Sequence, residues 1–319
     1  MDLPFVHDAF VELIRRAATN LPSDVESAIA RARDAERQMS AARNALDMLL
    51  INIGKARAES APMCQDTGMN VWYVHYPAGP HEHALTKTIR EATVAATKKS
   101  YLRPNTVDSI TGKNDGTNLG DGAPQIHFHQ WDKPLIKADL LLKGGGCENV
   151  SGQMTLPNTE IKAGRDLEGV KRAVIKMVLD AQGQGCAPGI CGVCIGGDRA
   201  GGALAAKEQI FRVLDDENPD ERLAKLEREL IEACNGLQIG PMGFGGKTTV
   251  LGMKVTAQHR LPASFFVSMA YECWSCRRWS VEIDADKKSS TFTELTEMAS
   301  RYKLPSRLSR PTGSAEKAA

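Results

Sequence analysis

What this 319-residue chain lacks narrows its function before any motif is read. Neither sign of charge prevails: 40 lysines and arginines face 39 aspartates and glutamates, a formal net charge of +1. Nothing in that balance pulls the protein toward nucleic acid or an anionic membrane surface. No apolar run approaches the eighteen or so residues of a spanning helix, and Met1-Asp2-Leu3-Pro4 has no basic stretch leading into an apolar one. A cytoplasmic protein with no nucleic-acid or membrane partner is the expectation. No internal repeat is visible. Cysteine, by contrast, occurs eight times. A chain this long does not depend on disulfides for stability, so in a reducing compartment these thiols read as packing, metal ligands or catalytic groups.

Helical spacing of apolar residues runs from Pro4 to about Ala58, with Ser23 and Glu26 spaced as a capping box for a middle helix. Further helices are expected over residues 84–100, from Asp166 as a cap through Ala181, over 203–213 and over 221–234. Strand patterns occupy Asn70–His75, Gln125–His129, Ile136–Leu142, Ile190–Gly196, Thr248–Thr256, Ala263–Tyr271 and Trp279–Ile283. The fold class is therefore α+β, an N-terminal helical layer packed on mixed β-sheets flanked by helices. Residues 1–60 are expected to form the helical segment of the same domain, 61–287 its main part, and 288–319 a polar C-terminal tail.

Several loops between these elements carry chemistry. Cys64-Gln65-Asp66 stands in a turn before a strand, where Gln65 and Asp66 would be costly to bury unpaired; a plain turn cap by Asp66 reads equally well. Lys143-Gly144-Gly145-Gly146 is richer in glycine than a tight turn requires, and its free amides suit an anion. Cys147 beside it reads as a packed thiol. His127 and His129 share one strand face but lack a third ligand, which favours packed or exposed rings over a metal site. The loop after Asn114 resembles a calcium loop, yet Ile126 stands where the bidentate glutamate is required. Gly245-Gly246-Lys247-Thr248 resembles a phosphate loop, but Pro241 replaces its first glycine and a strand follows where a helix should. Lys247 remains a candidate for meeting a carboxylate.

The cysteines weigh against structural zinc. Cys191-x-x-Cys194 and Cys273-x-x-Cys276 are separated by 78 residues, far beyond ribbon spacing, and i, i+3 side chains on a strand point to opposite faces. Neither pair opens a helix that would activate a redox thiol. Dispersed cysteines at loop junctions suit an iron–sulfur cluster with one open iron, but composition and spacing do not select which three.

The residues that do select them are Pro62-x-Cys64-Gln65-Asp66-Thr67-Gly68, Asn114-x-Gly116-x-Asn118, Lys143-Gly144-Gly145-Gly146, Cys186-x-Pro188, Gly240-Pro241-x-Gly243-x-Gly245-Gly246 and Cys273-Trp274-x-x-Arg277-Arg278. In this order, over roughly residues 10–285, they resemble the α-subunit signatures of the class I fumarate hydratase and L-tartrate dehydratase family. The resemblance implies a 4Fe-4S cluster held by Cys64, Cys186 and Cys273, with Cys147, Cys191, Cys194, Cys234 and Cys276 as non-ligands. It implies that Gln65, Asp66, Arg103 and the Gly146 backbone contact a small dicarboxylate, with Asp66 as the acid that helps hydroxyl leave. Lys247 and Arg260 complete the expected substrate-binding set.

What such a reaction needs is a Lewis acid on the departing oxygen, a base on the neighbouring carbon and positive groups on the carboxylates. This chain offers no obvious base. The family carries one on a second, smaller module, which implies a separate β subunit and an assembly of two α and two β chains. One departure stands out: where the family commonly reads Arg-His, this chain has Arg260-Leu261, with His259 one place early. Malate–fumarate interconversion is the leading expectation, with tartrate or a mesaconate-type substrate as the alternative within the family. A non-enzymatic zinc-binding scaffold is the alternative outside it.

Overall fold

The computed structural model describes residues 2–79 and 81–294. The N-terminal layer is α1 (Leu3–Thr19), α2 (Ser23–Ala35) and α3 (Ala41–Glu59). Asp2 caps α1 by accepting from the Phe5 amide, and Ser40 caps α3 through Arg43, each satisfying a donor that the first helical turn leaves open. The Ser23–Glu26 capping box does not form. Pro22 occupies the N-cap position and Ser23 is already helical, so the amides of Val25 and Glu26 bond to the Pro22 carbonyl.

The first sheet holds five strands in the order β2-β1-β3-β8-β9: β1 (Met69–Pro77), β2 (Gln125–Trp131), β3 (Ile136–Lys143), β8 (Arg278–Asp284) and β9 (Ser289–Thr293). β1 runs parallel to β2, and the remaining pairs are antiparallel. Strand alternation sends Trp72, Val74, Leu140, Leu142, Trp279 and Val281 to one face, beneath α1 and α4 (Glu82–Lys98). Val71, Tyr73 and Leu141 point the other way, into the core of the second sheet. β9 lies in the segment read as the start of a polar tail; the rest of that tail, residues 295–319, lies outside the described residues.

The second sheet has the order β4-β7-β5-β6, from β4 (Gly152–Thr155), β5 (Gly189–Gly196), β6 (Val250–Gln258) and β7 (Phe266–Glu272). α6 (Leu167–Ala181) and α8 (Glu221–Gly236) cover one of its faces, and α7 (Arg199–Gln209) covers the other. Asp166 caps α6 as its position implies, accepting from Gly169 at 2.7 Å. Phe211, just after α7, meets Tyr73 edge-on at 5.4 Å and joins the two sheets. Together these helices and mixed sheets make the α+β fold. His127 stacks on Tyr73 and His129 on His75, so both histidines are packed rings on one sheet face. Among the described residues, no helix is long and apolar enough to cross a membrane.

A buried ion pair fastens the helical layer to the first sheet. Arg278, fully buried in β8, meets the carboxylate of Asp24 in α2, which also accepts from the Leu214 amide at 2.9 Å. Removing one partner of such a pair strands the other charge, whereas replacing both by apolar groups is far better tolerated. Asp24→Ala should therefore cost about 3–5 kcal/mol in denaturant unfolding. The Asp24→Leu/Arg278→Met double variant should recover most of that loss, and equal losses in the two variants would contradict this account.

Candidate active site

The strand register collects four loops at one end of the molecule. β1 begins where β3 ends, with Met69 opposite Lys143. β5 begins where β7 ends, with Ile190 opposite Glu272, and the Leu142 amide bonds the Arg277 carbonyl at 3.0 Å, bringing β8 to the same place. The loop with Cys64, Gln65 and Asp66, the glycine run after Lys143, the Cys186 loop and the Cys273–Arg277 turn therefore converge.

Two of these loops meet through Asp66. Its carboxylate accepts from the Gly68 amide at 3.0 Å and from the Gly145 amide at 2.8 Å. One amide of the glycine run thus meets a side chain of the protein itself. Gly145 and Gly146 open the short helix α5 (Gly145–Asn149). Gly68 has φ +77°, and a Cβ there would sit 2.8 Å from the backbone of Leu142 and Lys143, so only glycine lets β1 start this close to β3. Arg277 is buried, donates to the Asp66 carbonyl at 2.6 Å and holds the loop from below. Arg103 donates to the Gln65 carbonyl at 3.0 Å.

A cavity of about 590 Å³ opens over this arrangement, lined by Gln65, Asp66, Arg103, Lys143, Gly145 and Lys207 among others. Its size and mixed lining suit a small, charged ligand. Gly146 is exposed nearby and faces the Gln184 carbonyl of the Cys186 loop. Lys247 precedes β6 at the same end of the sheet, but its amide is held by Glu36 at 2.6 Å and its exposed side chain does not line the cavity. Arg260 lies at the opposite end. β6 runs parallel to β5 from Val250 opposite Gly189 to Gln258 opposite Gly196, a span of roughly 23 Å at 3.3 Å per residue. There Arg260 stacks on Phe265 at 4.3 Å and, with His259 and Leu261, lines a separate cleft beside Gly197.

The thiols divide into two groups. Cys191, Cys194, Cys234 and Cys276 are fully buried in the core, and burial pushes Cys191 well up and each of the other three up to about 12, which keeps them protonated and inert. Cys191 faces Cys234 of α8 while Cys194 faces Glu208 of α7, on opposite sides of β5, so that pair cannot chelate one ion. Cys64, Cys147, Cys186 and Cys273 gather at the site, and none is in a disulfide. Burial raises Cys186, and the neighbouring charges of Cys64, Cys147 and Asp66 raise it further. The Trp274 amide, next to Cys273, bonds the Cys186 carbonyl at 3.3 Å.

Sequence reasoning treated Cys147 as packing and overlooked Glu272. The structure puts the Cys147 sulfur 3.3 Å and the Cys273 sulfur 3.6 Å from Glu272 Oε1. Cys147 and Cys273 share a hydrogen bond that pushes Cys147 down to about 5 and Cys273 well above the usual thiol range. Glu272 is pushed well up, first by burial and then by Cys147. Burial alone would lower Lys143, but the charges of Glu272, Cys147 and Glu148 together lift it above its ordinary value. The available signal was a single carboxylate closing the apolar run 263–271.

Three soft sulfur donors on three separate loops, Cys64, Cys186 and Cys273, near a cavity lined by charges of both signs are a donor set that an iron–sulfur cluster accepts. The residues present fit that group.

The family model described as Fumarate hydratase (Fumerase) matches residues 7–282. A "Putative fumarate hydratase class I" of Geobacillus stearothermophilus is 47% identical over 283 residues, covering 88% of this chain and 55% of that protein. The chain thus spans about half the length of that relative. A "Putative L(+)-tartrate dehydratase subunit alpha" of Methanocaldococcus jannaschii is 32% identical over 89% of this chain and 99% of its own length. The "L(+)-tartrate dehydratase subunit alpha" of Escherichia coli is 29% identical over 84% of this chain and 88% of its own.

Gly68→Ala tests the close approach that shapes the site. Gly112 also has positive φ, at +68°, but open space around it. Its replacement by alanine should cost about 1–2 kcal/mol from backbone strain, while Gly68→Ala should cost a further 1–3 kcal/mol or so from the backbone clash. Equal losses in chemical denaturation would show that the contact between β1 and β3 does not constrain the loop.

Proposed function

The chain belongs to the Fumarate hydratase (Fumerase) family, and from that premise we propose that it is the α subunit of an iron–sulfur-dependent hydro-lyase interconverting (S)-malate and fumarate. The observation that carries this reading is the convergence of Cys64, Cys186 and Cys273 beside a cavity lined by Asp66 and Arg103. A 4Fe-4S cluster on the three thiolates would supply a Lewis acid for the substrate hydroxyl. Cys147 and the four core thiols take no part in holding it.

The remaining chemistry falls to the chain's own side chains. Arg103 and the Gly146 amide bind substrate carboxylate, and Gln65 orients it. Asp66 passes a proton to the departing hydroxyl. The Gly68 and Gly145 amides hold its side chain at the wall of the cavity. Lys247 approaches the same end once a partner covers it, and Arg260 serves a different surface of the assembly.

The base on the neighbouring carbon comes from a separate β subunit, in an assembly of two copies of each chain in the cytoplasm. The alternative substrate within the family is L(+)-tartrate. It is the substrate in the name of the archaeal relative, which is 32% identical to this chain.

Two experiments test this reading. The anaerobically reconstituted chain should turn over malate, or failing that tartrate or citramalate, only when a co-encoded small partner is added; turnover by this chain alone would refute the two-subunit assignment. In the assembled enzyme, Asp66→Asn should lower kcat by about 10²–10⁴-fold with iron content unchanged. Replacing Cys64, Cys186 or Cys273 by alanine should abolish iron binding, and iron retained in those variants would refute the ligand assignment.

A further inference from the structure

Overlapping the proposed cluster ligands at Cys273 lies a second donor set, two of whose members, Cys147 and Glu272, the hydro-lyase reading leaves unused. Cys147, Glu272 and Cys273 each offer one ligand atom, and the three atoms lie within 4.8 Å of one another. All three residues are buried, Glu272 completely, and its Oε2 has no hydrogen-bond partner. Cys147 is carried by α5 and the other two by the end of β7, so the set does not depend on a single flexible loop.

We propose that these three residues form a site for one thiophilic divalent cation, of the zinc class, in the chain without its cluster. The distances match such an ion. With zinc–sulfur and zinc–oxygen bonds of about 2.3 and 2.0 Å, the sulfur-to-oxygen edge of a tetrahedron is about 3.5 Å. The observed edges from Glu272 Oε1 are 3.3 Å to Cys147 and 3.6 Å to Cys273. The charges match as well. Two thiolates and a carboxylate balance a divalent ion together with the Lys143 ammonium, which lies 3.8 Å from Glu272 Oε2, and a buried site requires that neutrality. Thiolate donors exclude calcium and magnesium and favour zinc. Water fills the fourth position, as in zinc sites with three protein ligands.

On binding, the cation takes the place of the proton shared by Cys147 and Cys273 and of the Glu272 carboxyl proton, both released to solvent, with no change of oxidation state. The site shares Cys273 with the proposed cluster, so the two occupants exclude each other. The assignment of the cluster to Cys64, Cys186 and Cys273 can fail without affecting this one.

The test uses the full chain, prepared anaerobically without iron and given one equivalent of metal. Zinc-edge X-ray absorption of the unaltered protein should give two sulfur neighbours and lighter atoms, and three sulfurs would overturn the proposal. Cobalt(II) should bind once per chain with thiolate-to-cobalt charge-transfer absorption, and absence of that absorption would equally overturn it. Cys147→Ser and Glu272→Gln should each weaken cobalt binding at least about tenfold, the lower bound for changes even in the outer shell of a metal site. Cys64→Ser should leave it unchanged; loss of binding in Cys64→Ser, or unchanged binding in Cys147→Ser, would place the ion elsewhere and refute the site.

Discussion

The architecture of the site depends on one buried ammonium. Lys143 ends β3 in the first sheet, and its Nζ donates to the Tyr271 carbonyl at the end of β7 in the second sheet at 2.7 Å. Glu148 at 3.1 Å and Glu272 at 3.8 Å complete its surroundings. A charged amine is held in the interior only where such partners offset the loss of water. Because the ammonium comes from the first sheet and Tyr271 and Glu272 from the second, the ion pair fixes the distance between the glycine run and the Cys273 turn. The cavity, the thiols and the Asp66 loop all take their positions from that distance.

Much of the fold was legible because each long element has a strong period. The apolar spacing of α6 and its Asp166 cap, or the continuous burial of β5, follow directly from the residues. β4 and β9 were not legible, since four or five half-exposed residues carry too little pattern to distinguish a strand from a loop. The capping box failed for a local reason: proline at position 22 supplies the helix start one residue before the serine.

The site was legible in a different sense. Cys64, Asp66 and Cys186 sit in turn-rich segments, where Asp66 alone read equally well as a turn cap, and the motifs they belong to gave their order. Glu272 was hidden, and Lys143 and Arg277 were visible only as motif members without a role, because each lies inside or at the border of an apolar strand, where a charged residue is unreadable until its partners are known. Arg260 shows the converse. Its motif placed it among the functional residues, while the parallel pairing of β5 and β6 carries it to the far end of the sheet, because sequence order does not encode strand direction.

Arg277 and Arg278 are neighbours in sequence and strangers in space. The pleat at the start of β8 turns the first guanidinium to the Asp66 loop and the second to Asp24 beneath the helical layer. A dipeptide thereby joins two concerns that usually sit in different parts of a protein, the posture of the carboxylate proposed to react and the cohesion of the scaffold. Damage at these adjacent codons should be separable in kind, an enzyme that folds but works poorly in one case and an enzyme that works but melts early in the other.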